Sequence, residues 1–352
     1  MALIKIEKVK MKGIAACVPS DIEENSDYPY FDENELNRIL PTIGVERRRV
    51  LKPGQTCGDL ACKAAEKLIA ELGWEKESIG LLMFCSPSRD YIQPDTACVI
   101  QHKLGLSEST MCFDMTLGCT AFTYGTTTAL SILQNGAIKR GIVMNANMGS
   151  AEDAYTDKTT WPLIGDAGTA TAFEYDETAS PIWCELGTRG KDFEAIIIPD
   201  GGRRNPVTEK SLELIEFDKN IKRSRVHLDM KGMDVFSFAM KTAPKSVNAV
   251  LEFAGKTIDD IDMFFFHQAN YYMVKKIIKK LKINPEDAPF SMINFGNTGA
   301  ASIPFTMVTE KADKLRNGKH WVVGCSFGVG LSWASLCFEA DDLVIPELIN
   351  MD

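Results

Sequence analysis

Ile261-Asp262-Met263-Phe264-Phe265-Phe266-His267 is almost continuously apolar up to a terminal histidine, and Ile79-Gly80-Leu81-Leu82-Met83-Phe84-Cys85 has the same character far upstream. Runs this short, hydrophobic at successive rather than alternate positions, read as strands buried on both faces. Each follows a helical pattern, around residues 62–72 in the first case and 243–253 in the second. Downstream the parallels continue. A helix-like stretch over 119–134 closes on Asn135-Gly136, and one over 299–316 closes on Asn317-Gly318. Glycine just past a helix is a common stop because it accepts a left-handed backbone. Strand patterns follow in each half, at 141–146 and 169–175, then at 321–325 and 331–338.

The chain therefore reads as written twice, with halves at residues 1–176 and 177–352. Strands alternating with helices predict an α/β fold of mixed, largely parallel sheets covered on both faces. Two such halves predict a five-layer α/β/α/β/α body, with the helices beginning near Cys119 and Gly299 buried between two sheets. The stretch 199–225, rich in Gly, Arg, Asn, Pro and Lys, reads as a connection long enough to cover an active-site entrance.

Bulk chemistry narrows the function. The 352 residues are 45% hydrophobic and 25% charged, which is enough for a large core. No apolar run reaches the roughly 20 residues of a membrane span, and the first residues do not resemble a signal peptide, so the expected location is the cytoplasm. A formal charge of -9 argues against general nucleic-acid binding. Ten cysteines without any CxxC pair, beside four histidines, suggest neither a disulfide framework nor a zinc site.

Three polar residues stand out from this background. Cys119, in Gly118-Cys119-Thr120-Ala121-Phe122, precedes an apolar helix whose free amides and positive dipole end would stabilise a thiolate. His267 ends a buried strand, where α/β proteins collect their sites. Asn297, in Gly296-Asn297-Thr298-Gly299-Ala300-Ala301-Ser302-Ile303-Pro304, stands in the second half near the place Cys119 holds in the first. Taken singly they read as a core thiol, a hydrogen-bonded core histidine and a helix cap. Pseudo-symmetry would turn two of them toward one cavity.

These motifs, with His267-Gln268-Ala269-Asn270, Phe327-Gly328-Val329-Gly330 and Ile164-Gly165-Asp166-Ala167-Gly168, resemble in family order those of β-ketoacyl-acyl-carrier-protein synthase III. The resemblance implies a thiolase fold, usually dimeric, and no cofactor beyond acyl-CoA and malonyl-acyl carrier protein as substrates. Cys119 would take the acyl group, and His267 and Asn297 would hold the enolate formed by decarboxylation. The amide of Cys119 and one from Gly328, Val329 or Gly330 would hold the second oxyanion. Asn270 and Lys158, the latter in place of a family arginine, would bind substrate. Phe327 and Gln93 would belong to the acyl pocket, Gln93 replacing an aromatic on a loop that reaches into the partner subunit.

The family's coenzyme-binding tryptophan and arginine are absent, with Arg38 and Thr42 nearby, and Tyr271-Tyr272 replaces a pair containing an arginine. Lys275, Lys276, Lys279 and Lys280 would attract an acidic acyl carrier protein. Two further readings share the acyl-binding cysteine: transfer of the acyl group to an oxygen or nitrogen nucleophile, and a non-catalytic acyl-binding subunit. A papain-like protease also uses Cys, His and Asn, but its Cys-Gly-Ser-Cys-Trp neighbourhood is missing.

Overall fold

Alternate residues of the two diagnostic strands enter different cores. In Ile79–Cys85, Leu81, Met83 and Cys85 face the central core, while Leu82 and Phe84 face an outer one. In Met263–Phe266, Met263 and Phe265 face the same central core, and Phe264 and Phe266 a second outer one. This period of two makes each strand the partition between two hydrophobic layers. The computed structural model describes residues 2–218 and 221–352; Lys219 and Asn220, within the connection expected at 199–225, lie outside them.

The first sheet runs in the order Ile349–Met351, Val9–Pro19, Ala167–Tyr175, Arg140–Asn147, Ile79–Cys85, Met111–Met115. The second runs Ala2–Ile6, Ile182–Thr188, Ser332–Asp341, Lys319–Gly328, Met263–Phe266. Helices Ala121–Leu133 and Ser302–Leu315 fill the space between the sheets. Helices Cys57–Leu72 and Thr96–Leu104 cover one outer face, and Gly232–Ala254 and Tyr271–Leu281 the other. The five layers follow. No helix among the described residues is long and apolar enough to cross a membrane.

Two differences from the sequence reading have plain causes. The second sheet is mainly antiparallel, because only Val329, Gly330 and Leu331 separate Lys319–Gly328 from Ser332–Asp341, too short a link for a parallel crossover. The chain ends also cross the 176/177 division. Ala2–Ile6 pairs with Ile182–Thr188 in the second sheet, and Ile349–Met351 pairs with Val9–Pro19 in the first.

Close packing fixes how the outer helix sits. Thr56 and Asp59 form a reciprocal capping box at the start of Cys57–Leu72. A Cβ on Gly168 would stand 2.4 Å from the Ala61 amide nitrogen of that helix. Since backbone opposes the intrusion, Gly168→Ala should destabilise the protein by about 2 kcal/mol, read as a lower denaturant midpoint with unchanged slope.

Candidate active site

The inner ends of the two central helices open on one cavity of about 320 Å³ lined by Cys119, His267 and Asn297 together. Cys119 lies in a turn just before Thr120, the residue that caps Ala121–Leu133. Its side chain packs against the Gly328 backbone: a Cβ on Gly328 would stand 2.4 Å from the Cys119 sulfur. The backbone amide dipoles of Val329 and of Cys119 itself act to lower the thiol and favour its thiolate. Burial nevertheless dominates and pushes the thiol up from its ordinary value, with the Glu152 charge adding to the rise. The activated resting thiolate expected from the helix start is therefore not what this environment favours, because dehydration outweighs the two amide dipoles.

His267 is buried at the end of its strand, and its Nδ1 lies 2.9 Å from the Ser302 hydroxyl. The Phe327 ring packs edge-on to it at 5.7 Å. Burial lowers the imidazole to about 4, against an opposing contribution from the Gly299 backbone. The ring is thus neutral at pH 7. Asn297 is oriented by its own turn, since its Oδ1 accepts from the Gly299 amide at 2.9 Å. That bond leaves the carboxamide NH2 as the group free to donate. Two inter-half bonds hold the turn: Asn297 N–H to the Leu163 carbonyl at 2.7 Å, and Gly165 N–H to the Asn297 carbonyl at 3.1 Å.

The remaining expectations divide. Gly328, Val329, Phe327 and Asn270 line the cavity, and Gly330 follows directly in the turn. Asn270 also caps helix Tyr271–Leu281, accepting from the Met273 amide at 2.8 Å. Lys275, Lys276, Lys279 and Lys280 all lie exposed on that helix. Gln93 does not join the cavity of its own chain; it is exposed, beside exposed Tyr91 and Ile92, on the loop leading to Thr96–Leu104. Lys158 is also outside the lining, because its ammonium is held 2.6 Å from Glu35 of helix Glu33–Ile43. Arg38 and Thr42 are exposed on the same helix.

None of the described residues of the connection at 199–225 lines the cavity; its flanks do, through Ile196, Ile197, Ile198, Leu228 and Met230. Sequence reasoning missed Ser302, although it sits in the quoted Asn297 motif, and missed the cavity residues Glu152, Asp153 and Thr160. Nothing local distinguishes those acidic side chains from solvated ones.

The neutral state of His267 has a measurable consequence. Its unfolded pKa of about 6.5 falls to about 4 on folding, so protonation favours the unfolded chain. The stability supported by the neutral ring is complete above pH 6.5 and is lost as pH falls through 4. The stability difference between wild type and His267→Gln should therefore shift by about 3 kcal/mol against wild type from pH 7 to pH 4 in denaturant titrations.

Comparison with known proteins agrees with this architecture. The family models for 3-oxoacyl-[acyl-carrier-protein (ACP)] synthase III and for its C terminal match residues 113–190 and 251–340. The β-ketoacyl-[acyl-carrier-protein] synthase III of Aliarcobacter butzleri is 32% identical over 332 residues, covering 93% of this chain and 96% of that protein. Its namesake from Fusobacterium nucleatum is 29% identical over 333 residues, covering 94% and 98%. The crystal structure of a 3-oxoacyl-(acyl-carrier protein) synthase from Burkholderia xenovorans LB400 superposes with a TM-score of 0.93 at 34% identity, covering 99% of both chains. The chain belongs to the 3-oxoacyl-[acyl-carrier-protein] synthase III family of condensing enzymes.

Proposed function

We propose that Cys119 accepts an acyl group from a thioester and that His267 and Asn297 then drive its decarboxylative condensation with a malonyl thioester. The observation that carries this reading is the convergence of all three side chains on one cavity, with the Gly328 backbone packed against the Cys119 sulfur. In the first step Cys119 sulfur attacks the thioester carbonyl. The tetrahedral oxyanion is held by the Cys119 and Val329 amides, and the departing thiol carries away the proton. In the second step the malonyl thioester loses carbon dioxide, and the electron pair of the broken bond becomes an enolate. Its carbon attacks acyl-Cys119, and collapse returns the cysteine thiolate.

The enolate oxygen needs neutral donors already aimed at it. Ser302, donating its hydroxyl proton to Nδ1, would keep the imidazole proton on Nε2, ready to donate to that oxygen. Asn297, with Oδ1 engaged by Gly299, offers its NH2. Decarboxylation supplies the carbanion, so the sequence of steps draws on thioester substrates alone.

Carrier protein and a second subunit complete the proposal. The exposed lysines of Tyr271–Leu281, a helix whose first turn lines the cavity through Met273, give an otherwise acidic chain a basic surface suited to an acidic acyl carrier protein. A homodimer is supported by the outer edge of Met111–Met115, which has no strand partner among the described residues and exposes Met111.

Intact-mass analysis after incubation with acyl thioester should show an acyl adduct on wild type and none on Cys119→Ala; an unchanged adduct on Cys119→Ala would overturn the reading. His267→Ala and Asn297→Ala should still acylate but lose about 10²–10⁴ in carbon dioxide release and ketoacyl product. Acyl transfer to an added alcohol or amine without carbon dioxide release would instead indicate an oxygen or nitrogen acceptor. Reversal of Lys275 and Lys279 to glutamate should lower kcat/KM for carrier-borne malonyl relative to a small malonyl thioester by about tenfold at low salt, and less at high salt.

A further inference from the structure

A hollow outside the active-site cavity gathers cations that acyl transfer and condensation do not use. It encloses about 450 Å³ between the short helical turn Gly190–Ala195 and the first turns of helix Gly232–Ala254. No residue lining it also lines the cavity of Cys119. Arg189, Lys191, Lys231 and Lys241 face it, together with Ser237. A smaller hollow shares Arg189 and Lys241 and adds Lys245 and Trp333.

Three contacts hold Arg189 in place. Its amide donates to the Leu331 carbonyl at 2.7 Å, its Nε pairs with Asp192, and its guanidinium lies 5.1 Å from the centre of the buried Phe238 ring. Phe238 packs in turn against Trp333. Both terminal nitrogens are left without a hydrogen bond among the described residues, on a side chain 37% exposed. Lys191, Lys241 and Lys245 are exposed and also lack a partner there, whereas Lys231 lies 4.0 Å from Glu194. The remaining carboxylate of the lining, Asp234, sits in the first turn of Gly232–Ala254, where the helix dipole favours a negative charge. Five cations thus face three carboxylates, in a chain whose net charge is -9. Cations gathered in this way repel one another, and a bound anion relieves the repulsion.

We propose that this hollow binds the phosphate group of a small molecule. The free fork of Arg189 matches two oxygens of a phosphate, and Lys241, which lines both hollows with Arg189, is placed to meet a third. A doubly charged phosphate answers more than one of these cations, where a single carboxylate would leave the others unpaired. The volume exceeds that of a bare phosphate, and apolar Leu331 and Phe238 beside the cations offer a surface for the rest of the molecule. The basic residues form a concave spot rather than a stripe, which suits a compact ligand and not the repeating phosphates of a nucleic acid.

Calorimetric titration of the full chain with pyrophosphate, inorganic phosphate and acetate at constant ionic strength is the test. Both phosphates should bind, and acetate should bind at least about tenfold more weakly than either. Arg189→Lys, which keeps the charge but loses the fork, and Lys241→Met should each weaken pyrophosphate binding by about tenfold or more. Lys275→Met, on helix Tyr271–Leu281, should leave it unchanged. Lys241 is exposed and unpaired, so its variant keeps the test decisive if Arg189→Lys does not fold. The proposal is overturned by absence of pyrophosphate binding to wild type, by acetate binding as tightly as phosphate, by binding that survives in the folded variants, or by an equal loss in Lys275→Met. None of these measurements involves Cys119, so their failure would leave the acyl-enzyme reading untouched.

Discussion

The backbone of residues 163–165, from the first half, runs against that of residues 295–297, from the second, with no side chain between them. Ile164 and Asn297 form a parallel bridge there. A Cβ on Gly165 would stand 2.0 Å from the Phe295 carbonyl oxygen, and Gly296 combines a φ of +68° with a Cβ position 2.8 Å from the Leu163 carbonyl oxygen. Both positions require glycine for steric reasons. Fully buried Arg48 tightens the seam by donating to the Ile164 carbonyl and to Glu23. Buried Asp166 accepts from the Leu51 amide and from Ser150. The position of Asn297 is thus fixed by the other half of the molecule.

A second glycine contact, Gly328 against Cys119, does the reciprocal job, for here second-half backbone presses on the first-half cysteine. Buried hydroxyl pairs, Thr120 with Ser332 and Thr123 with Ser326, tie the same helix to the second sheet. The groups at this seam are partly or fully buried, and desolvation sets their electrostatics. Burial drives the Cys119 thiol up and the His267 imidazole down, so each is moved toward its neutral form. A resting thiolate–imidazolium pair, the familiar device of cysteine hydrolases, is disfavoured from both sides.

Legibility in the sequence followed the range of the interactions. The diagnostic strands were readable because burial on both faces leaves continuous apolar runs, and the central helices because Gly136 and Gly318, at φ +78° and +83°, end them. The exchange of Ala2–Ile6 and Ile349–Met351 between sheets was not, since neither strand's local pattern specifies its partner. Lys158 looked free to bind substrate because its pairing with Glu35 spans more than a hundred residues of chain. The acidic pair Glu152-Asp153 was passed over because only tertiary burial separates it from an ordinary solvated turn.

The donor set itself suggests why uncharged donors suit the proposed reaction. Both steps generate negative charge on oxygen, yet no lysine or arginine lines the cavity among the described residues. A buried cation would carry a desolvation penalty in the empty enzyme and would bind the starting malonyl carboxylate as well as the later enolate, which gains nothing in rate. Amides of Cys119 and Val329, the Asn297 carboxamide and a neutral imidazole carry less of that penalty and are held in place by the seam. They interact weakly with a neutral thioester carbonyl and strongly with the oxyanion that replaces it. The rigidity that made glycine obligatory at 165 and 296 is therefore the same property that would make neutral dipoles sufficient for the chemistry.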